Sequence, residues 1–155
     1  MPSSRAGSSC KWRGPRPRLA IVASQFNAHI TERMLRRALE RARQLGAEVR
    51  WVARAPGAFD IPLLASRLLG RSEVDAVVCL GAIIKGETAH DEVIAFSLAK
   101  TLQELALQHG KPIGFGVSGP RMTEEQALAR AEEYAERAVN AALGLLAAQR
   151  ALEEK

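Results

Sequence analysis

Short apolar runs and longer amphipathic stretches alternate along this chain from Arg18 onward, and that order constrains the fold more than any other feature. The apolar runs at 19–23, 49–53, 74–80 and 113–117 have the length and composition of buried strands. Between them, 30–45, 61–69, 88–109 and 123–149 read as helices. The last is rich in Ala, Glu and Arg, and Thr123 with Gln126 forms a capping-box pattern at its start. Gly46, Gly70 and Gly110 each follow a helix, where glycine can adopt the left-handed C-cap conformation.

A repeated strand–helix order calls for parallel strands, right-handed crossovers and helices on both faces. The runs do not alternate strictly, which fits burial on both faces; Arg50 and Asp75 are the polar exceptions. The expected class is therefore α/β, a three-layer αβα sandwich around a four-stranded parallel sheet, flavodoxin-like. Ligands bind such sheets beyond the carboxyl ends of the strands. That rule selects the loops at 24–28, 54–60, 81–90 and 118–122.

With 155 residues the chain has room for one ordinary domain, assigned to 18–155. Residues 1–17, rich in Ser, Gly, Pro and Arg, read as a flexible N-terminal tail. The net charge of +5 is matched by residues 1–18, where Arg5, Lys11, Arg13, Arg16 and Arg18 meet no acid. Without those five, 17 basic residues face 17 acidic ones, so no specific nucleic-acid partner is expected. No apolar run is long enough to span a bilayer, and no membrane partner is expected. Two cysteines, Cys10 and Cys79, give no disulfide framework and suit a reducing, cytoplasmic setting. No His, Cys or acidic cluster has metal-ligand spacing.

Each loop has a functional and a structural reading. Phe26, beside Asn27, either stacks on a planar heterocycle or caps the core. In Pro56-Gly57-Ala58-Phe59-Asp60, the small residues let a ligand approach the backbone. Asp60 either accepts hydrogen bonds from a polyol or favours the helix start. The third loop runs Gly81-Ala82-Ile83-Ile84-Lys85-Gly86-Glu87-Thr88-Ala89-His90 into a helix whose free amides suit an anion. It lacks the order of a Walker A loop. His90 is placed either for proton transfer or simply on the surface. Arg130 suits phosphate or is merely solvated. His29 and His109 read as surface residues.

Taken in order, four segments carry a resemblance: Phe26-Asn27, Pro56 to Pro62, Gly81 to His90, and Glu125-Gln126-Ala127-Leu128-Ala129-Arg130. From Arg18 to its end the chain resembles the lumazine synthase family, and Ser118 to Thr123 with His90-Asp91-Glu92-Val93 looks most like the archaeal branch. The resemblance implies condensation of 5-amino-6-(D-ribitylamino)uracil with 3,4-dihydroxy-2-butanone 4-phosphate to give 6,7-dimethyl-8-ribityllumazine, the penultimate step of riboflavin biosynthesis, with no cofactor and no metal. It makes His90 the catalytic proton shuttle and Phe26 the stacking ring. The implied substrate-binding set is Phe26, Asn27, Gly57, Ala58, Phe59, Asp60, Ala82, Ile83, Ile84, Lys85 and Phe115. Gly86, Glu87, Thr88 and Arg130 would bind phosphate. It also implies a homo-oligomer, a pentamer or an icosahedral shell of pentamers, with active sites between subunits.

Two departures from bacterial members stand out: Asp60 where Glu is common, and Glu132-Glu133-Tyr134 where a Gly- and Lys-rich segment is common. Lys85 or Arg121 is then the expected helper of Arg130. The alternatives are a non-catalytic flavin- or nucleotide-binding module, a shell-forming protein on the same fold, and the archaeal type of riboflavin synthase. The Gly86 to His90 loop argues against the last.

Overall fold

A computed structural model describes residues 12–86 and 88–154. Four strands, β1 (Arg18–Ser24), β2 (Glu48–Ala55), β3 (Ala76–Ala82) and β4 (Ile113–Ser118), form one sheet in the order β2-β1-β3-β4. Every pairing is parallel. The helices are α1 (Ala28–Gln44), α2 (Ile61–Leu69), α3 (His90–His109), α4 (Glu124–Ala129) and α5 (Ala131–Glu153), with a 3-10 turn at Ala58–Asp60.

Side-chain parity along the strands divides the interior in two. Leu19, Ile21 and Ala23 join Val78 and Leu80 beneath α1 and α5, where Ile30, Met34, Ala135, Ala138 and Val139 are buried. Ala20 and Val22 join Val77 and Cys79 against α2 and α3, through Ile61, Ala65, Leu98 and Leu102. The expected three-layer sandwich is therefore present. Its strand order reverses direction between β1 and β3, the switch point at which ligands bind in such sheets.

Several local details differ from the sequence reading. β3 begins at Ala76 and not at residue 74, because Val74 N–H closes a turn onto Arg71 O (3.1 Å) and Asp75 is engaged by Arg18. β2 is an edge strand with Trp51 and Val52 exposed, so burial on both faces holds for β1 and β3 but not for β2. Gly46 and Gly110 take positive φ, whereas Gly70 ends α2 at φ −77°.

The long final helix breaks at Arg130 into α4 and α5. Thr123 caps α4 as expected: its hydroxyl accepts Gln126 N–H (3.1 Å), and Gln126 Oε1 accepts Thr123 N–H (3.0 Å). Beyond the break, α5 packs on β4 through small residues. A Cβ on Gly114 would lie 2.1 Å from Ala138 O, so only glycine permits that approach.

The first eleven residues of the expected tail lie outside the described part. Residues 12–17 lie along the body: Trp12 Nε1 donates to Leu45 O (3.0 Å), and Arg150 donates to the carbonyls of Arg13 (2.9 Å) and Pro15 (2.7 Å). Among the described residues, no helix is long and apolar enough to cross a membrane.

Candidate active site

Backbone pairing continues past the strand ends and holds the carboxyl-edge loops together. Gln25 N–H donates to Ala55 O (2.7 Å) and Phe26 N–H to Pro56 O (3.1 Å), extending the β1–β2 ladder by two bonds. The next residue, Asn27, turns the chain at φ 62°, a conformation that Asn tolerates better than most residues. Its carbonyl accepts the first amides of α1, and its side-chain amide donates to Ala82 O (2.9 Å). Phe26 is thereby left 68% exposed above the switch point.

The second loop closes on itself. Asp60 Oδ2 accepts Gly57 N–H (3.0 Å), and Asp60 N–H donates to Gly57 O (3.0 Å). Asp60 thus holds the turn that presents Ala58 and Phe59. In the third loop, Ile83 N–H donates to Ser118 O (2.9 Å) and Lys85 N–H to Met122 O (2.7 Å). Thr88 stands before α3, its hydroxyl accepting His90 N–H (3.2 Å), and the helix proper starts at His90.

These loops enclose a cavity of about 310 Å³, within the range of small-molecule sites. Its lining takes Phe26 from the first loop, Gly57, Ala58 and Phe59 from the second, and Ala82, Ile83, Ile84 and Gly86 from the third. His90, at the start of α3, lines it as well. Two further lining residues, Asp91 and Ile94, were not anticipated. Ile94 lies one turn beyond His90, so helical spacing was the signal for it. Asp91 is only 6% exposed, which residue type alone does not suggest.

Asn27, Asp60, Lys85, Thr88 and Arg130 do not line this cavity; Glu87 lies outside the described residues. Arg130 is exposed at the α4–α5 junction. Phe115, 43% exposed, opens on a separate groove of about 350 Å³ with Leu102, Leu107 and Leu145. Arg121, expected as a phosphate helper, directs its guanidinium to Glu92 (Nε to Oε2, 2.7 Å).

The cavity walls are chiefly apolar. Phe26, Ile83, Ile84 and His90 share that lining, which brings an aromatic face, aliphatic side chains and an imidazole to one cavity. Cys79, in the strand below, is fully buried, and burial pushes its thiol up to about 12, so it offers no thiolate to the site. Among the described residues, no group of three or more His, Cys, Asp or Glu side chains is placed to hold a metal ion.

Residues 16–150 match the family model described as 6,7-dimethyl-8-ribityllumazine synthase. Proteins of that description from three archaea are similar over nearly their whole length. The relative from Aeropyrum pernix is 52% identical across 85% of this chain and 90% of its own. Those from Pyrobaculum arsenaticum and Staphylothermus marinus are 49% and 48% identical, across 88% and 89% of this chain and 91% and 92% of theirs. With its four-stranded parallel sheet and a cavity at the switch point, the chain belongs to the 6,7-dimethyl-8-ribityllumazine synthase family.

Proposed function

We propose that the protein is a transferase that condenses 5-amino-6-(D-ribitylamino)uracil with 3,4-dihydroxy-2-butanone 4-phosphate. The products are 6,7-dimethyl-8-ribityllumazine, phosphate and water. The observation that carries this reading is the meeting of Phe26, Ala58 and His90 on the walls of one cavity. The pyrimidine stacks on Phe26, with its ribityl chain along the Gly57–Asp60 turn. The phosphate lies near Gly86 and Thr88, with Arg130 supplied to it. The amine and ketone form an imine with release of one water, phosphate leaves, and the ring closes with loss of a second water, without redox change. His90 carries protons between these steps. Holding two substrates together supplies most of the acceleration, because it replaces a bimolecular encounter.

The enzyme works as a homo-oligomer, a pentamer or a shell of pentamers, with sites shared between subunits. Phe59, Leu63, Val93, Phe96, Leu107, Phe115 and Leu145 are all exposed in one chain, an apolar excess that association would cover. Phe115, which does not line its own chain's cavity, completes the site of a neighbour. Light scattering should give at least a pentamer's mass; an active monomer would refute this part.

The test of the reaction is absorbance at the lumazine band with both substrates, against the spontaneous rate. Acceleration by the wild type supports the reading. A folded, assembled protein with no acceleration would favour a non-catalytic binding or shell-forming protein.

A further inference from the structure

Asp91 has no part in the chemistry above, yet it is the acidic side chain in the described cavity wall. It stands in the first turn of α3 beside His90, where the helix dipole favours an acid. Burying a carboxylate is costly unless hydrogen bonds replace its water. Its partner is a backbone amide: Asp91 Oδ2 accepts Arg121 N–H at 3.0 Å.

Arg121 adopts φ 60°, the left-handed region that disfavours a side chain of this size. A turn held there needs support from its surroundings. The ion pair from Arg121 to Glu92 lies at the surface, with the arginine side chain 72% exposed, and gives little. The buried bond to Asp91 is the firmer anchor.

The same turn is bonded to another part of the cavity lining. Ser118 O and Met122 O accept the amides of Ile83 and Lys85, so the stretch from Ile83 to Gly86 is attached to the turn at 118–122. Through Arg121 that turn is attached to the helix that bears His90. We infer that Asp91 is a positioning residue: its grip on the Arg121 amide sets the distance between His90 and the Ile83–Gly86 wall. The inference rests on the cavity being the site of condensation. It acts on geometry alone, so its effect falls on turnover more than on substrate affinity.

The test compares Asp91→Ala with Asp91→Asn in the full-length assembled protein, by hydrogen exchange and steady-state kinetics. In Asp91→Ala, the Arg121 and Lys85 amides should exchange faster than in wild type. Its kcat should fall by up to about 10²-fold, the cost of misplacing reacting groups by about 1 Å, while KM for both substrates stays near the wild-type value. Asp91→Asn keeps an acceptor oxygen and should restore both protection and most of the rate. If Asp91→Ala fails to assemble, Asp91→Ser, whose hydroxyl falls short of the amide, takes its place with the same expectations. Unchanged amide protection in the short variant would overturn the inference, as would a rate that Asn does not restore. Should the wild type produce no lumazine, the proposed reaction fails, and the exchange data still decide whether Asp91 holds the turn.

Discussion

At the amino end of the sheet, side chains are committed to the chain's own backbone and to one another. Asp75 accepts Arg18 N–H (2.8 Å) and the Nε and Nη2 of the Arg18 guanidinium (3.1 Å each). Lys111 Nζ donates to the carbonyls of Leu69 and Arg71 (2.9 Å each), Gln149 to Gly110 O (2.6 Å) and Arg16 to Gly46 O (3.1 Å). Helices in a parallel α/β fold end here, and their free carbonyls need such donors. At the carboxyl end, the loops are joined mainly by backbone bonds, and Phe26, Phe59 and His90 remain exposed around a cavity. One end consumes its polar groups in holding the fold, while the other presents its side chains to a ligand. Substitutions at the two ends should therefore separate stability from turnover.

The largest effect is expected at the carboxyl end. His90→Ala should lower kcat by about 10²–10⁴-fold, the usual worth of a positioned acid–base group, and leave the thermal midpoint unchanged. Stopped-flow or steady-state absorbance, with calorimetry alongside, checks both halves. A drop in stability that matched the drop in rate would break the comparison.

Next is the amino end. Burial pushes the Asp75 carboxyl up, but the hydrogen bonds and charge of Arg18 outweigh it and hold it below the ordinary value. Asp75→Ala removes an acceptor of charge-assisted bonds and should cost about 1.5–3 kcal/mol of stability. Urea unfolding would read that loss, while kcat per folded molecule stays at the wild-type level.

A smaller effect belongs to Phe26. Aromatic stacking is worth about 0.5–1.5 kcal/mol beyond area burial, so Phe26→Ala should raise KM for the ribitylaminouracil about 2–10-fold. KM for the butanone phosphate should not change. Equal increases for both substrates would mean that Phe26 shapes the loop and does not stack.

The smallest is a pH effect at Glu73. Hydrogen bonds from Arg71 and Trp51 bring its carboxyl down from 4.5 to about 2. With the folded value below the unfolded one, the carboxylate stabilises the fold above about pH 4.5, and the contribution disappears as pH falls toward 2. The stability gap between wild type and Glu73→Gln should narrow across that window in acid unfolding; a gap independent of pH would show that the Glu73 carboxylate adds nothing to the fold.

The sheet was legible in the sequence because buried parallel strands are plain apolar runs, and β1 and β4 fall within one residue of their expected ends. The break at Arg130 was not legible. Nothing in Ala129-Arg130-Ala131 disfavours a helix, and the hydrogen bonds nearly continue across it, from Arg130 N–H to Gln126 O (3.1 Å) and from Tyr134 N–H to Arg130 O (3.0 Å). Tertiary packing directs α5 onto Gly114, a demand that local propensity does not encode. The strand-end rule selected four loops, of which those at 24–28, 54–60 and 81–90 line the cavity, while the loop at 118–122 only bonds to the third. The rule missed Asp91, whose burial follows from an amide thirty residues away. Phe115 lines a second groove of the same chain and not this cavity, and a single chain's sequence carries no signal for which of the two its ring would serve.

The most direct test is to fill the cavity at its substrate-binding wall while leaving His90 and the Phe26 ring in place. Ala58 lines its wall, partly exposed, on a turn that Asp60 closes independently. The measurement is lumazine formation by Ala58→Trp and by wild type at equal concentration of folded protein, each against the spontaneous rate. The wild type should accelerate the reaction, and Ala58→Trp should turn over at the background rate. A filled cavity that still turned over at the wild-type rate would place the reaction elsewhere on the molecule.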